Sequence, residues 1–270
     1  MTAIAQLITP ALRRATTAAH LGALKYLSYG ASHVGCVRTL NEDAYLDRGE
    51  VGLWAVADGM GGHDCGEVAS ARVVEELAEV SSFGSAYGFR HHVCTALHRA
   101  NDALQAQAVQ RLSGTIGATI VALLVHGGHY ACIWAGDSRA YLYRAGDLKR
   151  LTRDHSVVQA MVDAGTLGAD KVRGHAQANV ITRAVGAHEA LELDDVHGRV
   201  QAGDRFLLCS DGLTAVVSDA EIAELMRRSP LQSAVDALIA RALSRGAPDN
   251  VTALVVSADE AAQGGASALG

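Results

Sequence analysis

The sequence predicts an α+β fold in which two antiparallel β-sheets pack face to face and helices cover the outer side of each sheet. Three observations lead to this prediction. Runs such as YACIWA and FLLC are apolar at consecutive positions, as expected for strands that are buried on both faces. Glycine-containing turns, HGGH and RAGD, join such runs over a few residues, which is typical of antiparallel hairpins. The longer amphipathic segments carry apolar residues on one side only.

Short apolar runs and helical periodicity locate the elements of this fold. The predicted strands are Val51–Ala57, Ala118–Val125, His129–Ala135, Ala140–Tyr143, Arg205–Cys209 and Val251–Val256. Apolar residues at helical spacing predict helices at Glu67–Val80, Phe89–Gln110 and Leu231–Ser244.

Length and composition favour one large domain. The chain has 270 residues, of which 49% are hydrophobic, and it has only three prolines and no Pro- or Ser-rich linker. We expect a mobile N-terminal extension over residues 1–24, with a membrane or partner anchor as the alternative. A folded domain over 25–258 and a disordered tail over 259–270 follow. Within the domain, residues 154–184 are polar, punctuated by glycines and weakly periodic, which predicts a mobile insertion.

Charge and cysteine usage limit the class of protein. The formal net charge of -6 argues against nucleic-acid binding, because phosphate backbones attract clustered Lys and Arg. It leaves room for a phosphorylated substrate that is held by one or two arginines. Five scattered cysteines without C-x-x-C spacing predict reduced thiols and a cytoplasmic protein. No apolar run approaches the roughly 20 residues of a membrane span, so we expect no transmembrane segment.

Acidic residues stand where the apolar strands begin or end. A single Asp-Gly or Asp-Asn of this kind is usually an ordinary turn, so the signal lies in the repetition. If the strands lie side by side, their acids converge at one rim of the sandwich. The residues concerned are Glu42, Asp43, Asp58, Asp137, Asp211 and Asp249, with Arg38 close to the first two in the chain.

Carboxylates gathered at one rim repel one another, so either they take up protons or a cation compensates them. A set of oxygen ligands without cysteine or paired histidine suits Mg²⁺ or Mn²⁺ rather than structural Zn²⁺. The sequence therefore predicts a site for a hard divalent cation.

The ordered motifs resemble the metal-dependent serine/threonine protein phosphatases of type 2C, the PPM family, and especially its compact bacterial branch. The motifs, spread over about Lys25 to Ala258, are RTLNEDAYL, ADGMGGHDCGEVAS, GATIVALLV, WAGDSRAYLYR, LTRDHSVVQAMVDAG, ITRAVG, CSDGLTAVVS and APDNVTALVV. The resemblance implies a four-layer αββα sandwich with two Mn²⁺ or Mg²⁺ ions in the cleft between the sheets. It also implies that residues 154–184 form a flap beside the metal centre.

The resemblance implies a ligand for each metal ion. Asp58 is implied to bridge two metals, with the Gly59 carbonyl as a further ligand. Asp211 and Asp249 are implied ligands of the first metal, and Glu42 and Asp43 of the second, directly or through water. Asp137, with Asp211, is implied at a weaker third metal.

Arg38 resembles the residue that clamps the substrate phosphate, a task that suits the guanidinium fork. In the implied mechanism two metal ions activate a water for in-line attack on phosphorus, without a covalent phospho-enzyme. The general acid remains open, because the familiar animal pattern has a histidine after Asp-Gly, where this chain has Met60. His63 is a candidate, and the alternative is that His63 caps or positions the helix that begins near Asp64.

The implied substrates are phosphoserine and phosphothreonine proteins, the implied partner is a cognate bacterial Ser/Thr kinase, and we expect a monomer. Two other interpretations predict different features. A regulatory domain of the same fold, which binds phosphoproteins without turnover, would be expected to lack a metal acid or Arg38, and this chain retains all of them. A two-metal nuclease would favour a basic groove, which the net charge of -6 disfavours.

Overall fold

The computed structural model describes residues 13–21, 24–61, 65–81, 84–111, 115–172 and 174–260. The strands in these residues are β1 Arg13–Leu21, β2 Leu24–His33, β3 Asp43–Arg48, β4 Leu53–Met60, β5 Gly117–Ala118, β6 Ile120–His126, β7 His129–Ala135, β8 Arg139–Arg144, β9 Asp147–Arg150, β10 Asp194–Arg199, β11 Arg205–Cys209 and β12 Val251–Glu260. The helices are α1 Gly66–Ala78, α2 Ala86–Arg111, α3 Val157–Asp163, α4 Asp211–Thr214, α5 Asp219–Met226 and α6 Leu231–Ser244.

The strands form two sheets in which neighbours run antiparallel. The first sheet has the order β1-β2-β12-β11-β8-β9, so that β12 lies between β2 and β11. The second has the order β10-β7-β6-β4-β3, with the two-residue strand β5 beside the end of β4.

Three apolar clusters separate four layers. One cluster fills the space between the two sheets and includes Trp54 and Phe206. A second joins the outer face of the second sheet to α1 and α2, for example through Leu97. The third joins the outer face of the first sheet to α4, α5 and α6, for example through Leu238. This is the four-layer αββα sandwich, and the predicted fold class is confirmed.

Strand β6 shows why the central strands are continuously apolar. Val121 and Leu123 belong to the cluster between the sheets, whereas Ile120 and Ala122 belong to the cluster under the helices. Successive side chains of a strand point to opposite faces, so a strand with an apolar layer on each side needs apolar residues at every position.

The two predicted hairpins are also confirmed. Gly127 and Gly128 join β6 to β7 with φ of 58° and 77°, and Ala145 and Gly146 join β8 to β9 with φ of 52° and 96°. Positive φ at both central positions is the type I′ geometry, whose twist matches that of the flanking strands.

The boundaries expected at the two termini differ from the structure. Residues 13–21, expected in a mobile extension, form β1 and pair with β2 from Arg13–Ser32 to Leu21–Leu24. The segment RRATTAAHL has few large apolar residues, so it gave no strand pattern, yet its backbone groups can still pair with the edge of β2. Asp259 and Glu260, expected in the tail, end β12; residues 1–12 and 261–270 lie outside the described residues.

Residues 154–184 contain α3 and the 3₁₀ turn Ala169–Lys171, and turns occupy much of the remainder. The two ends of this segment meet, because Ser156 bridges to Ile181 and the Val157 amide donates to the Val180 carbonyl at 2.9 Å. Its mobility stays a prediction. In the part of the chain described above, none of the helices combines the length and apolarity that a bilayer crossing requires.

Candidate metal centre

The predicted acids lie at one rim of the sandwich, where strands of both sheets begin or end. Asp43 is the first residue of β3 and stands directly opposite Asp58 of β4 in the strand register. Asp211 follows β11 at the start of α4, and Asp249 precedes β12. Asp137 follows β7. Residues far apart in the chain thus come together at the rim.

Asp58 is at the centre of this group. Burial raises its pKa well above the ordinary value, and the charges of Asp43, Asp211, Asp137 and Asp249 raise it further. Carboxylates that disfavour one another's ionised form can be ionised together when a cation lies among them, so Asp58 and its neighbours fit a metal ion.

Asp211 and Asp137 share this environment. Burial, followed by the charge of Asp249, raises the pKa of Asp211 to about 6. Burial, followed by the charges of Asp211 and Asp154, raises the pKa of Asp137 to about 8. Deprotonating these carboxyls at neutral pH creates negative charges in one place, and divalent cations offset such charge well.

The two carboxylate oxygens of Asp43 differ in their hydrogen bonding. Its Oδ2 accepts hydrogen bonds from the hydroxyls of Ser210 and Thr252, both at 2.7 Å. Its Oδ1 is buried and has no hydrogen-bond partner. Burial raises the pKa of Asp43 to about 7. A buried carboxylate oxygen without a partner is costly, and a bound cation would remove that cost.

In the described part of the chain, however, no three His, Cys, Asp or Glu side chains are already arranged as a metal-ligand set. The acids are close enough to raise one another's pKa, but the individual ligand assignments stay predictions.

Two glycines let the backbone close around Glu42. A Cβ atom at Gly59 would overlap the Gly66 carbonyl oxygen, and a Cβ atom at Gly66 would overlap the Glu42 carboxylate. The Gly59 amide donates to the Glu42 carbonyl at 3.0 Å, and the Gly66 amide hydrogen-bonds the Glu42 carboxylate. The glycines in ADGMGGHDCG thus allow β4, α1 and Glu42 to approach closely beside Asp58.

Arg38 lies on the solvent side of the rim, in the connection between β2 and β3. Its guanidinium donates to Asp249 Oδ2 at 2.8 Å, and its side chain is 50% exposed. This hydrogen bond, with the charges of Asp249, Glu42 and Asp58, raises the pKa of Arg38. An exposed ion pair contributes at most about 1 kcal/mol, so Arg38 can leave Asp249 for a phosphate at small cost.

Comparisons with known proteins show the family to which the chain belongs. The family model for protein phosphatase 2C matches residues 31–160. The catalytic domain of the serine/threonine protein phosphatase PstP in complex with two manganese ions superposes with a TM-score of 0.80 and 35% identity, over 88% of this chain and 100% of that chain. The chain belongs to the protein phosphatase 2C family. The resemblance of the sequence motifs is thereby confirmed.

Two further relatives support the assignment to this PP2C family. PppA from Pseudomonas aeruginosa, a key regulatory component of its T6SS, superposes with a TM-score of 0.82 and 42% identity, covering 90% of this chain and 100% of its own. The serine/threonine protein phosphatase PstP of Mycobacterium tuberculosis is 39% identical over 232 residues, which are 85% of this chain and 44% of that protein. The chain therefore spans less than half the length of that relative.

Asn250, which was not among the predicted site residues, organises one side of this PP2C site. Its Oδ1 accepts the Glu42 amide at 2.8 Å, and its Nδ2 donates to the carbonyls of Val34 and Leu40, both at 2.9 Å. The buried amide thus holds both ends of the connection that carries Arg38. Its position beside Asp249 is the one sequence signal that could have found it.

A hydroxyl pair on the other side of the PP2C site was also missed. Thr119 Oγ1 accepts the Asp58 amide at 3.1 Å and lies 2.7 Å from Ser138 Oγ. The Thr119 amide donates to the Asp58 carbonyl at 2.8 Å. These bonds link the backbone of Asp58 to the residue that follows Asp137, and nothing in a single sequence marks Thr119 for this task.

Hydrogen bonds and ion pairs hold the start of the segment 154–184 beside the same acids. Asp154 accepts the Arg139 guanidinium at 2.7 Å and also pairs with Arg150. His155 accepts the Gly136 amide through Nδ1 at 3.2 Å and gives its own amide to the Gly136 carbonyl at 2.9 Å. A cavity of about 520 Å³ lies between this segment, α4 and the start of α5, with Asp137 and Asp211 in its wall.

His63, the candidate general acid, and Asp64 lie outside the described residues, so both interpretations of His63 stay open.

Proposed function

We propose that this PP2C chain is a protein serine/threonine phosphatase that hydrolyses phosphoserine and phosphothreonine with two Mn²⁺ or Mg²⁺ ions and a weaker third. The observation that carries the proposal is the group of carboxyls around Asp58, which raise one another's pKa at the rim beside Arg38. The relatives PstP and PppA support it, and the PstP catalytic domain holds two manganese ions.

We propose that Asp58 would hold the first two ions, with the Gly59 carbonyl as a further ligand. Asp211 and Asp249 would complete the first site, Glu42 and Asp43 would hold the second ion directly or through water, and Asp137, with Asp211, would hold the third. When bound, the ions supply Lewis acidity that activates a water and offsets the charge of the phosphoryl group.

Arg38 is the side chain that would bind the substrate phosphate. Its guanidinium, half exposed and held near Asp249, Glu42 and Asp58, would exchange Asp249 for phosphate oxygens and hold the phosphoryl group in a two-point geometry. The leaving seryl or threonyl oxygen needs a proton. His63 is our candidate donor, with helix capping as the alternative role.

Residues 154–184 would act as a flap that recognises the protein around the phosphoresidue. The cavity of about 520 Å³ between this segment and Asp211 supports the proposal, because a substrate segment that enters it lies next to the metal acids. Replacing Gly165–Gly174 by a short linker should lower phosphoprotein turnover more than turnover of p-nitrophenyl phosphate. Equal loss on both substrates would show that the segment belongs to the catalytic core.

The substrates would be phosphoproteins of a cognate bacterial Ser/Thr kinase. We propose a cytoplasmic monomer that does not act on nucleic acid. All five cysteines are free, and a cytoplasmic location would keep them reduced.

Phosphate release from a phosphothreonine peptide, measured with Mn²⁺, with Mg²⁺ and with excess EDTA, tests the proposal. We expect turnover with either metal and none with EDTA. Asp58→Asn is the matched variant, because it keeps the volume and removes the charge. Turnover that survives EDTA, or peptide binding without turnover in the presence of metal, would contradict the proposal.

A further inference from the structure

Exposed apolar side chains are concentrated beside Arg38. The large hydrophobic residues that stand in solvent, within the described ranges, are Val37, Leu40, Tyr87, Val109 and Val180. Two of these five lie in the short loop 36–40: Val37 is 68% exposed and Leu40 is 47% exposed. Arg38, the proposed phosphate clamp, lies between them.

The backbone around this loop is fixed, so the two apolar side chains cannot simply turn inward. The Asn250 side-chain amide donates to the carbonyls of Val34 and Leu40, and the Cys36 amide donates to the Ala247 carbonyl at 2.9 Å. Hiding Val37 or Leu40 in the core would require breaking these bonds. The exposure is therefore built into the loop.

We infer that Val37 and Leu40 bind apolar side chains next to the phosphoresidue, so that the preferred substrates carry a hydrophobic residue directly before or after phosphoserine or phosphothreonine. This inference rests on the proposed phosphatase function and names its substrate class. An extended peptide advances about 3.3 Å per residue, so a phosphate bound by Arg38 keeps the adjacent substrate residues near the same loop. Leucine or valine beside the phosphoresidue would remove apolar surface of Val37 and Leu40 from water, whereas serine at the same place would not.

Two phosphothreonine peptides that differ only in having leucine or serine on both sides of phosphothreonine test the inference. For the wild type with Mn²⁺ we expect kcat/KM to be about five- to tenfold higher for the leucine peptide. Val37→Ser and Leu40→Ser should each reduce this preference, and the double variant should abolish it, with rates normalised to p-nitrophenyl phosphate turnover. These variants should also bind a fluorescent leucine peptide that carries a non-hydrolysable phosphonate more weakly than the wild type does.

Tyr87→Ser is the matched control, because it also removes an exposed apolar side chain. Tyr87 lies three residues before Arg90, which pairs with Asp195 of β10, on the opposite edge of the second sheet from β3. The control should keep the wild-type preference. Equal rates on both peptides in the wild type, or the same loss in Tyr87→Ser, would overturn the inference while leaving the phosphatase function intact. Absence of turnover on every phosphoester would overturn the phosphatase function, and the inference with it.

Discussion

Strand β11 has an aspartate near each end, and the two carboxyl groups lie in opposite electrostatic environments. Asp204, immediately before the strand, is buried and receives both Nε and Nη2 of Arg144 at 2.6 Å, together with the Gln201 amide at 2.7 Å. Asp211, two residues after the strand, lies among other acids, and burial together with the charge of Asp249 raises its pKa to about 6. The aspartate before β11 is thus paired with an arginine, whereas the aspartate after β11 lies among other acids.

The difference separates a structural carboxylate from a functional one. Burying a charge is costly unless it is paired, and the far end of β11 meets this requirement with an arginine. Among the described residues, the rim acids outnumber the nearby arginines Arg38 and Arg139, the second of which already pairs with Asp154. A site of this composition is stable in its ionised form only with added positive charge. Crowded acids without matching bases therefore indicate a site for metal ions.

The largest expected effect comes from removing the charge at the rim. Asp211→Asn should lower kcat by on the order of a thousandfold, because the side chain keeps its volume but loses its metal affinity. The fold should remain, and in EDTA the variant should melt no lower than the wild type, because one source of repulsion is gone. Circular dichroism and phosphopeptide turnover measure the two effects. Near-normal kcat would contradict the assignment of Asp211.

The matched change at the other end of the strand should have the reverse profile. Asp204→Asn leaves Arg144 without its charged partner and should lower the free energy of unfolding by about 1.5–3 kcal/mol. Its kcat should stay close to the wild-type value at a temperature where the variant is folded. Urea denaturation and turnover test this. A large loss of kcat without loss of stability would mean that the two ends of β11 do not differ as argued.

The metal-free protein should lose stability as the pH rises. Raised pKa values of about 7 for Asp43, about 6 for Asp211 and about 8 for Asp137 compare with about 3.9 in an unfolded chain. Between these values the folded state binds more protons than the unfolded state, so the free energy of unfolding falls as pH rises. In EDTA, Tm should decrease from about pH 5 to about pH 8.

Bound Mn²⁺ should make Tm less dependent on pH. In EDTA, Asp211→Asn should reduce the slope of Tm against pH, whereas Asp204→Asn should leave that slope unchanged. A metal-free Tm that rises over the same pH range would show that the rim acids are not protonated in the folded protein.

The smallest expected effect concerns Arg38, the arginine at the rim. Arg38→Ala should raise KM for phosphopeptides by about tenfold, and Arg38→Lys by about threefold, because lysine keeps the charge but loses the two-point geometry. Steady-state kinetics on one peptide measure both values. An unchanged KM in Arg38→Ala would mean that another group holds the phosphate.

The sequence was sufficient for the central sandwich and for the location of the acids. His129–Ala135, Arg205–Cys209 and Leu231–Ser244 were predicted with the bounds that the structure has, since their apolar patterns are strong. Strand β10 was missed because its residues are alternately half-buried and exposed and its sequence, DDVHGR, is polar. Its place in the sheet is set by pairing with β7 rather than by its own composition.

The supporting contacts of the site could not be predicted in the same way. Asp58 stands out because a charge ends an apolar run, but Thr119 and Asn250 act through hydrogen bonds to backbone groups that are 61 and 208 positions away in the chain. Such bonds depend on the completed fold, and a hydroxyl or amide in the sequence carries no sign of its partner.

The central position of β12 in the first sheet has a consequence for synthesis on the ribosome. This last described strand pairs with β2 on one side and β11 on the other, and Asp249 and Asn250 immediately precede it. Until residues 249–260 have left the ribosomal tunnel, β2 and β11 have no common neighbour and the Arg38 loop lacks its Asn250 anchor. A nascent chain should therefore remain inactive towards phosphoproteins until this strand is inserted, and folding should be limited by a contact of very long sequence separation.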